Sequence, residues 1–270
     1  MYQANWEGMI RFDLAMRETQ SIDINSDMGE FGDKVTSGDD AVLMPWVSSA
    51  NIACGGHVGD IQSMAQTVLL AKTHKVRVGA HPSYPDRRGF GREEVDISEE
   101  ALIETLVEQI GALQEQAERQ GIRLSYVKAH GALYNRSAQD QDTARALITA
   151  VQRVDAELPL MGLAAAPLET WAAAQGLSYI REAFVDRRYD QSGALMSRAE
   201  SSALLTDPAL ALAQFRILVE MQAVSTPTGM LIPMAADTYC VHGDNPAALP
   251  ILMEIHRYLS TTPYTLCTWS

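Results

Sequence analysis

Short apolar runs of strand length recur along the chain, separated by longer stretches in which apolar residues return every three or four positions. The runs Ser21–Asn25, Val47–Ala53, Val76–Ala80, Leu124–Lys128, Leu160–Ala164, Tyr179–Ala183 and Gly229–Pro233 predict seven β-strands. Helices are predicted between them by their end signals: Ser98 followed by Glu99 and Glu100, Asp207–Pro208 and Asn245–Pro246 at starts, Gly121 and Gly176 at stops. In the stretch 99–120, Leu102, Leu106, Ile110, Leu113 and Ala117 share one face, as a helix lying on a sheet requires.

The strand–helix unit repeats about every 35 residues, too short for separate internal domains and suited to parallel strands closing into a seven-stranded β/α barrel. No Pro/Gly/Ser-rich linker or low-complexity tract interrupts it, so residues 21–270 are expected to form a single β/α-barrel domain. Residues 1–20 carry no strand pattern, and Met16 would serve equally well as a start. They are expected to be a disordered or loosely packed N-terminal arm.

Composition narrows the partners. With 34 acidic against 21 basic residues, the formal charge of −13 would repel a phosphate backbone, so nucleic acid is not an expected partner. No apolar stretch approaches the roughly 18–20 residues of a membrane span, and no secretory-type signal opens the chain. A cytoplasmic location and no membrane association are expected, with a homo-oligomer left open. Cys54, Cys240 and Cys267 form no C-x-x-C pair, and small reduced buried side chains are their expected role.

In a β/α barrel the chemistry gathers at the C-terminal strand ends, and polar residues crowd there. Four of the six histidines, His57, His81, His130 and His242, follow predicted strands beside Gly or Pro, which marks them as candidate ligand contacts or acid–base groups. His74 and His256 fall inside helical stretches and are expected to be surface or packing residues. Asp27 directly follows the first strand and lies two residues before a Gly, so a site role is expected of it. Lys128 ends a strand as a candidate catalytic cation, with a salt bridge inside the barrel as the plainer alternative. Asp60 and Asp244 stand just before helices and serve equally well as site acids or as helix caps.

The candidates for substrate or phosphate contacts are Asn25, Glu30, Asn51, Asp60, Arg92, Tyr134, Asn135, Glu182, Asp186, Arg187 and Asp244. Gly89 and Gly91 with Arg87, Arg88 and Arg92 make a basic loop suited to anionic oxygens. We expect it to be mobile until an anion bridges its arginines. There is no G-x-x-x-x-G-K-[ST] and no G-x-G-x-x-G after a strand, so any nucleotide would occupy an atypical site.

Read together, Asp23–Glu30, Ser49–Asp60, Gly79–Arg92, Val127–Asn135, Glu182–Tyr189, Arg198 and Cys240–Asp244 resemble, in this order, the LamB/YcsF family of lactam-utilisation proteins. The resemblance runs from about Ser21 to Leu259. Departures are Ser26 where the family usually has Cys, Gly56 where Phe is common, Glu93 in place of a second Arg, and Ala129 where Pro is expected, which should loosen the turn that aims His130. The resemblance implies a seven-stranded barrel related to polysaccharide deacetylases and ATP-dependent hydrolysis of 5-oxo-L-proline to L-glutamate. It further implies ATP with Mg2+ as cofactor and 5-oxoprolinase subunits B and C as partners. The chemistry is coherent: opening an unactivated lactam near neutral pH is close to thermoneutral, and ATP makes its carbonyl electrophilic.

Two rival readings stay open. Asp27, His57 and His130 also make up the ligand set of a divalent site in a stand-alone metal-dependent deacetylase or amidase. Alternatively the chain delivers substrate and its partners do the chemistry.

Overall fold

The structure, a computed structural model, describes residues 20–30, 39–198, 200 and 202–266. The proposed arm, apart from Gln20, and Cys267 lie outside them. Seven parallel strands close into a barrel: β1 (Gln20–Met28), β2 (Ser49–Ala53), β3 (Arg77–His81), β4 (Tyr126–Lys128), β5 (Leu160–Leu163), β6 (Tyr179–Phe184) and β9 (Thr238–Cys240), the last pairing with both β6 and β1. A further parallel strand, β10 (Tyr264–Leu266), pairs with the first three residues of β1.

The seventh predicted strand, Gly229–Pro233, is therefore not the barrel's. Leu231–Pro233 (β8) pairs antiparallel with Ala223–Ser225 (β7) in a hairpin outside the barrel. Gly229 (φ 82°) turns that hairpin, and Leu231 is 44% exposed, so the run is apolar without being core. The true closing strand has only three residues, Thr-Tyr-Cys, two of them facing the polar barrel interior, which hides it from an apolar-run search.

Eight helices of the described residues lie outside the strands: α1 (Asp39–Leu43), α2 (Ile61–His74), α3 (Glu99–Arg119), α4 (Gly131–Ser137), α5 (Gln141–Val154), α6 (Pro167–Ala174), α7 (Pro208–Met221) and α8 (Ala248–Leu259). The five expected apolar residues of α3 are all buried, and Ser98 caps it by accepting from the Ala101 N–H at 3.4 Å. Helix α8 begins two residues after the expected Asn245–Pro246 signal; Asn245 instead accepts from the Ala247 N–H at 2.9 Å. His74 is exposed and His256 packs edge-on against Trp46, as expected. No described helix is long and apolar enough to cross a membrane.

Side chains alternate along a strand, so β1 sends Ile22, Ile24 and Met28 to the helices and Asp23, Asn25 and Asp27 into the barrel. The lumen is thus polar and layered. At the floor, Asp23 accepts from Ser48, Ser49 and Thr238 hydroxyls at 2.6–2.7 Å and pairs with Arg77 at 3.1 Å. Above it, Asn25, Asn51 and the Tyr126 hydroxyl interlock, with Asn51 Nδ2 reaching Asp27 Oδ1 at 2.8 Å. Each of these groups finds a partner, which is what allows a polar interior to be dry.

Candidate active site

The top layer is built from strand ends and the loops that follow them. Lys128 is 2% exposed and its Nζ lies 3.0 Å from Asp27 Oδ1, 2.7 Å from Glu182 Oε1, 3.2 Å from Asn25 Oδ1 and 3.4 Å from Cys240 Sγ. An ammonium has three hydrogens and here meets four acceptors, so none remains for a ligand. Burial disfavours its charge, but Asp27, Cys240 and Glu182 outweigh this and hold its pKa well above the usual lysine range. Of the two expectations for Lys128, the internal salt bridge is the one realised, though its side chain still forms part of the cavity wall. Glu182, Asn25 and Asn51 are fully buried beneath the mouth and support Lys128 and Asp27 rather than facing a substrate.

Two histidines have their tautomers set by backbone carbonyls. His81 Nδ1 donates to Lys128 O at 2.8 Å, and His130 Nε2 donates to Phe90 O at 3.0 Å. The remaining nitrogens, His81 Nε2 and His130 Nδ1, face each other at 3.0 Å. Burial, then His81 and His57, keep the His130 pKa well below the usual histidine range. Asp27 Oδ2 lies 3.4 Å from His81 Nε2 and Glu30 Oε1 lies 3.4 Å from His130 Nδ1. Four buried ligand atoms, one from each of Asp27, Glu30, His81 and His130, thus fall within 4.8 Å of one another.

His57, a metal candidate by sequence, stands behind this set. Its ring stacks on His130 at 3.8 Å, its Nε2 meets Glu30 Oε1 at 3.0 Å, and burial, then His81, lower its pKa to about 3. The structure replaces it with His81 and adds Glu30. Burial, then repulsion from Asp27, raise the Glu30 pKa to about 7, so it exchanges a proton near neutrality. Asp27 is the reverse case: burial alone would raise it, but His81 and Lys128 hold it well below the usual carboxylate range.

His242 forms a second acid–base unit. Its Nδ1 donates to Asp186 Oδ1 at 2.8 Å, leaving Nε2 as the lone-pair nitrogen, and its ring stacks on Phe184 at 5.2 Å. Asp186 is fully buried and takes its remaining bonds from the His242 N–H and Asn245 Nδ2, so it orients His242 and is not itself a substrate contact.

The 87–93 loop is latched to the site instead of forming one arginine cluster. Arg87 donates to Gly55 O and Gly59 O at 2.8 and 2.9 Å, while Arg92 crosses the mouth to Asp244 at 2.6 Å. Phe90 holds a left-handed φ of 56°, unusual for a bulky residue, and its ring meets His57 and His130 edge-on. A Cβ on Gly131 (φ 57°) would lie 2.3 Å from Gly91 O, so the loop and α4 approach as closely as two glycines allow. The turn at Ala129 is not loose: His130 N–H donates to Pro82 O at 2.8 Å. At Gly56 a Cβ would lie 2.3 Å from Gln109 Oε1, so the Gln109 amide, bonded to Ser83 N and O, fills the space beside that glycine.

A cavity of about 390 Å3 opens above these groups, lined among others by Asp27, His81 and His130, by the apolar Phe184, Leu163 and Leu195, and by Arg92, Arg187 and Arg198. Tyr134, Asn135 and His242 also line it. Asp244 sits at the rim, taking both Arg92 and Arg198 on Oδ2. Asp60 does not take part: it caps α2, accepting from the Ser63 N–H at 2.8 Å in a capping box. Arg198, Phe90 and Phe184 are the site residues that residue-by-residue reading missed. Arg198 precedes no predicted element, and an aromatic flanked by glycines signals a tight approach only once its neighbour is known. Cys54 and Cys240 are poor nucleophiles: burial pushes Cys54 up to about 12 and Cys240 well above the usual thiol range.

A closed parallel barrel with an acid–histidine cluster at its C-terminal mouth places this chain among the β/α-barrel proteins. The sequence profile of the LamB/YcsF family matches residues 22–270, and the chain belongs to that family. One relative, an A-type 5-oxoprolinase subunit of Pseudomonas syringae pv. tomato, is 42% identical over 92% of this chain and 96% of that one. Another, the A-type 5-oxoprolinase subunit of Bordetella pertussis, is 46% identical over 85% of this chain and 91% of that one. The crystal structure of a lactam utilization protein from Thermus thermophilus superposes with a TM-score of 0.85 at 36% identity, covering 93% of this chain and 100% of that one.

Proposed function

We propose that this chain is the lactam-opening subunit of an ATP-dependent 5-oxoprolinase, hydrolysing 5-oxo-L-proline to L-glutamate together with subunits B and C. The observation that carries this is the mouth itself, where an oriented histidine base, the Asp27, His81 and His130 side chains and three arginines line one cavity. His242, oriented by Asp186, takes a proton from the attacking water. The water oxygen bonds to the lactam carbonyl carbon, the ring C–N bond breaks, and the protonated His242 returns the proton to the leaving nitrogen. Phosphorylation of the carbonyl oxygen by ATP, with Mg2+, would make the carbon electrophilic; C–N cleavage would then leave an acyl phosphate, and attack of a second water on its carbonyl would release inorganic phosphate and glutamate, with Arg92 available to phosphoryl oxygens. Purified chain assembled with both partners should release glutamate from 5-oxoproline only with ATP. Full activity in a folded His130→Ala, His242→Ala double variant would overturn the assignment.

A second reading, a metal-dependent amidase, is favoured by one observation: ligand atoms of Asp27, Glu30, His81 and His130, all buried, lie within 4.8 Å of one another. The four residues fit a divalent ion, since each offers a lone pair and two are carboxylates. Asp27, Glu30, His81 and His130 would hold it, and it would supply Lewis-acid activation of the carbonyl or of water. Near-stoichiometric zinc or a similar ion in chelator-free protein, lost in His81→Ala, with lactam turnover that needs no ATP, would favour this reading over the first.

A further inference from the structure

The cavity lining contains a buried cation that the described residues satisfy only in part. Arg187 is only 5% exposed, yet its guanidinium makes a single hydrogen bond there, from Nη2 to Met196 O at 2.6 Å. Its buried Nε has no acceptor, and no described carboxylate forms an ion pair with it. Asp186, the acid next to it in sequence, is fully engaged by His242 and Asn245. Asp244 gives one oxygen, Oδ2, to both Arg92 and Arg198, at 2.6 and 2.9 Å. Three guanidinium groups therefore face the cavity with one shared carboxylate between them, an excess of positive charge on a wall that also carries a desolvated cation. Burial, and then the neighbouring Arg198, push the Arg187 guanidinium below its usual range, which is the electrostatic mark of a missing anion. A buried cation is tolerated when an anion completes it, and a guanidinium offers five N–H groups in a planar fork suited to a pair of oxygens.

We propose that Arg187 and Arg198 anchor the carboxylate of the substrate, so that this cavity selects lactam acids over neutral lactams. The inference rests on the lactam reading above and deepens it. The lining offers a partner for each part of the molecule: the two arginines for a carboxylate, Phe184, Leu163 and Leu195 for a short apolar ring, and Asp27, His81 and His130 for the carbonyl. Arg187 is the principal anchor because burial strengthens its interaction with an anion, while Arg198 is one-third exposed and already shares Asp244. The same oxyanion chemistry would suit a phosphoryl group of ATP, and the experiment separates the two.

Binding of 5-oxo-L-proline and of 2-pyrrolidinone, the same ring without the carboxylate, is measured on the purified chain by calorimetry. ATP and 5-oxoproline kinetics are measured on the assembly with its partner subunits. The wild-type chain should bind 5-oxoproline at least tenfold more tightly than 2-pyrrolidinone. Arg187→Gln should abolish that preference and raise the 5-oxoproline KM at least tenfold, about the loss of one charge-assisted bond, with the ATP KM within twofold. Arg198→Gln, at a partly exposed position that leaves folding intact, should raise the same KM about threefold to tenfold. Equal binding of the two lactams by the wild-type chain would overturn the anchor, as would an unchanged 5-oxoproline KM in folded Arg198→Gln, or a KM increase confined to ATP. Absence of glutamate release by the wild-type assembly would instead strike the parent reading, while the binding comparison still decides the anchor.

Discussion

Asp186 shows how one residue serves both stability and chemistry. Burial alone would raise its pKa, but His242, and then the hydrogen bonds from His242 and Asn245, hold it below the ordinary carboxylate value. A depressed folded pKa stabilises the protein at pH values above the unfolded carboxylate pKa of about 3.9, and this contribution is lost as pH falls through the folded value. Asp186→Asn should therefore lower the unfolding free energy at pH 7 by about 1–3 kcal/mol, and the gap to wild type should shrink below about pH 4. Denaturant melts at pH 7 and pH 3 check this; an equal gap at both would show that Asp186 contributes no charge-dependent stability. The residue types at this site were visible as polar residues following apolar runs. Their division into contact and support was not, because Glu182, Asn25 and Asn51 face the same lumen as Asp27 and differ from it in how deep they lie.

At the scale of elements, the β/α alternation was legible because each barrel strand packs helices on one face, which leaves an apolar imprint every second residue. Strand β9 left little imprint: Thr238 and Cys240 face the lumen and only Tyr239 the helices. The 87–93 loop, expected to be mobile until an anion bridges its arginines, has carbonyls that hold neighbours, Phe90 O taking His130 Nε2 and Gly91 O taking the Ala132 N–H at 2.8 Å. Gly131→Ala tests this latch. The new methyl would meet Gly91 O at a backbone angle that favours glycine, which should cost about 1–3 kcal/mol and release the loop. Hydrogen exchange at Ala132 and His130 should be slow in the wild type and faster in the variant; equal protection would mean that the loop is held elsewhere.

Over the whole molecule, the barrel carries a hydrogen-bonded polar column from Asp23 at the floor to Asp27 and Lys128 at the mouth. Lys128 is the charge that keeps the top of this column together, because Asp27 and Glu182 would otherwise be two buried carboxylates with one cation missing. Lys128→Met should thus cost roughly 3–5 kcal/mol of stability, the range for breaking a buried pair by removing one partner. A thermal melt within a degree or two of wild type, with activity lost, would instead make Lys128 a catalytic group with a dispensable structural role.

The chain's order of apolar runs, cap residues and strand-end polar segments by itself determined a parallel barrel, the end of it that carries chemistry, and the family. These are local or one-dimensional properties: side-chain periodicity, turn chemistry and motif order need no knowledge of what lies across the lumen. The tertiary structure alone decided which side chains meet. It placed His81 rather than His57 beside Asp27, set two imidazole tautomers through carbonyls 40 and 47 residues away in sequence, saturated Lys128, and left Arg187 buried without an anion. Hydrogen-bond saturation and desolvation depend on every atom within a few ångströms, whatever its place in the chain, and no spacing along the sequence encodes them.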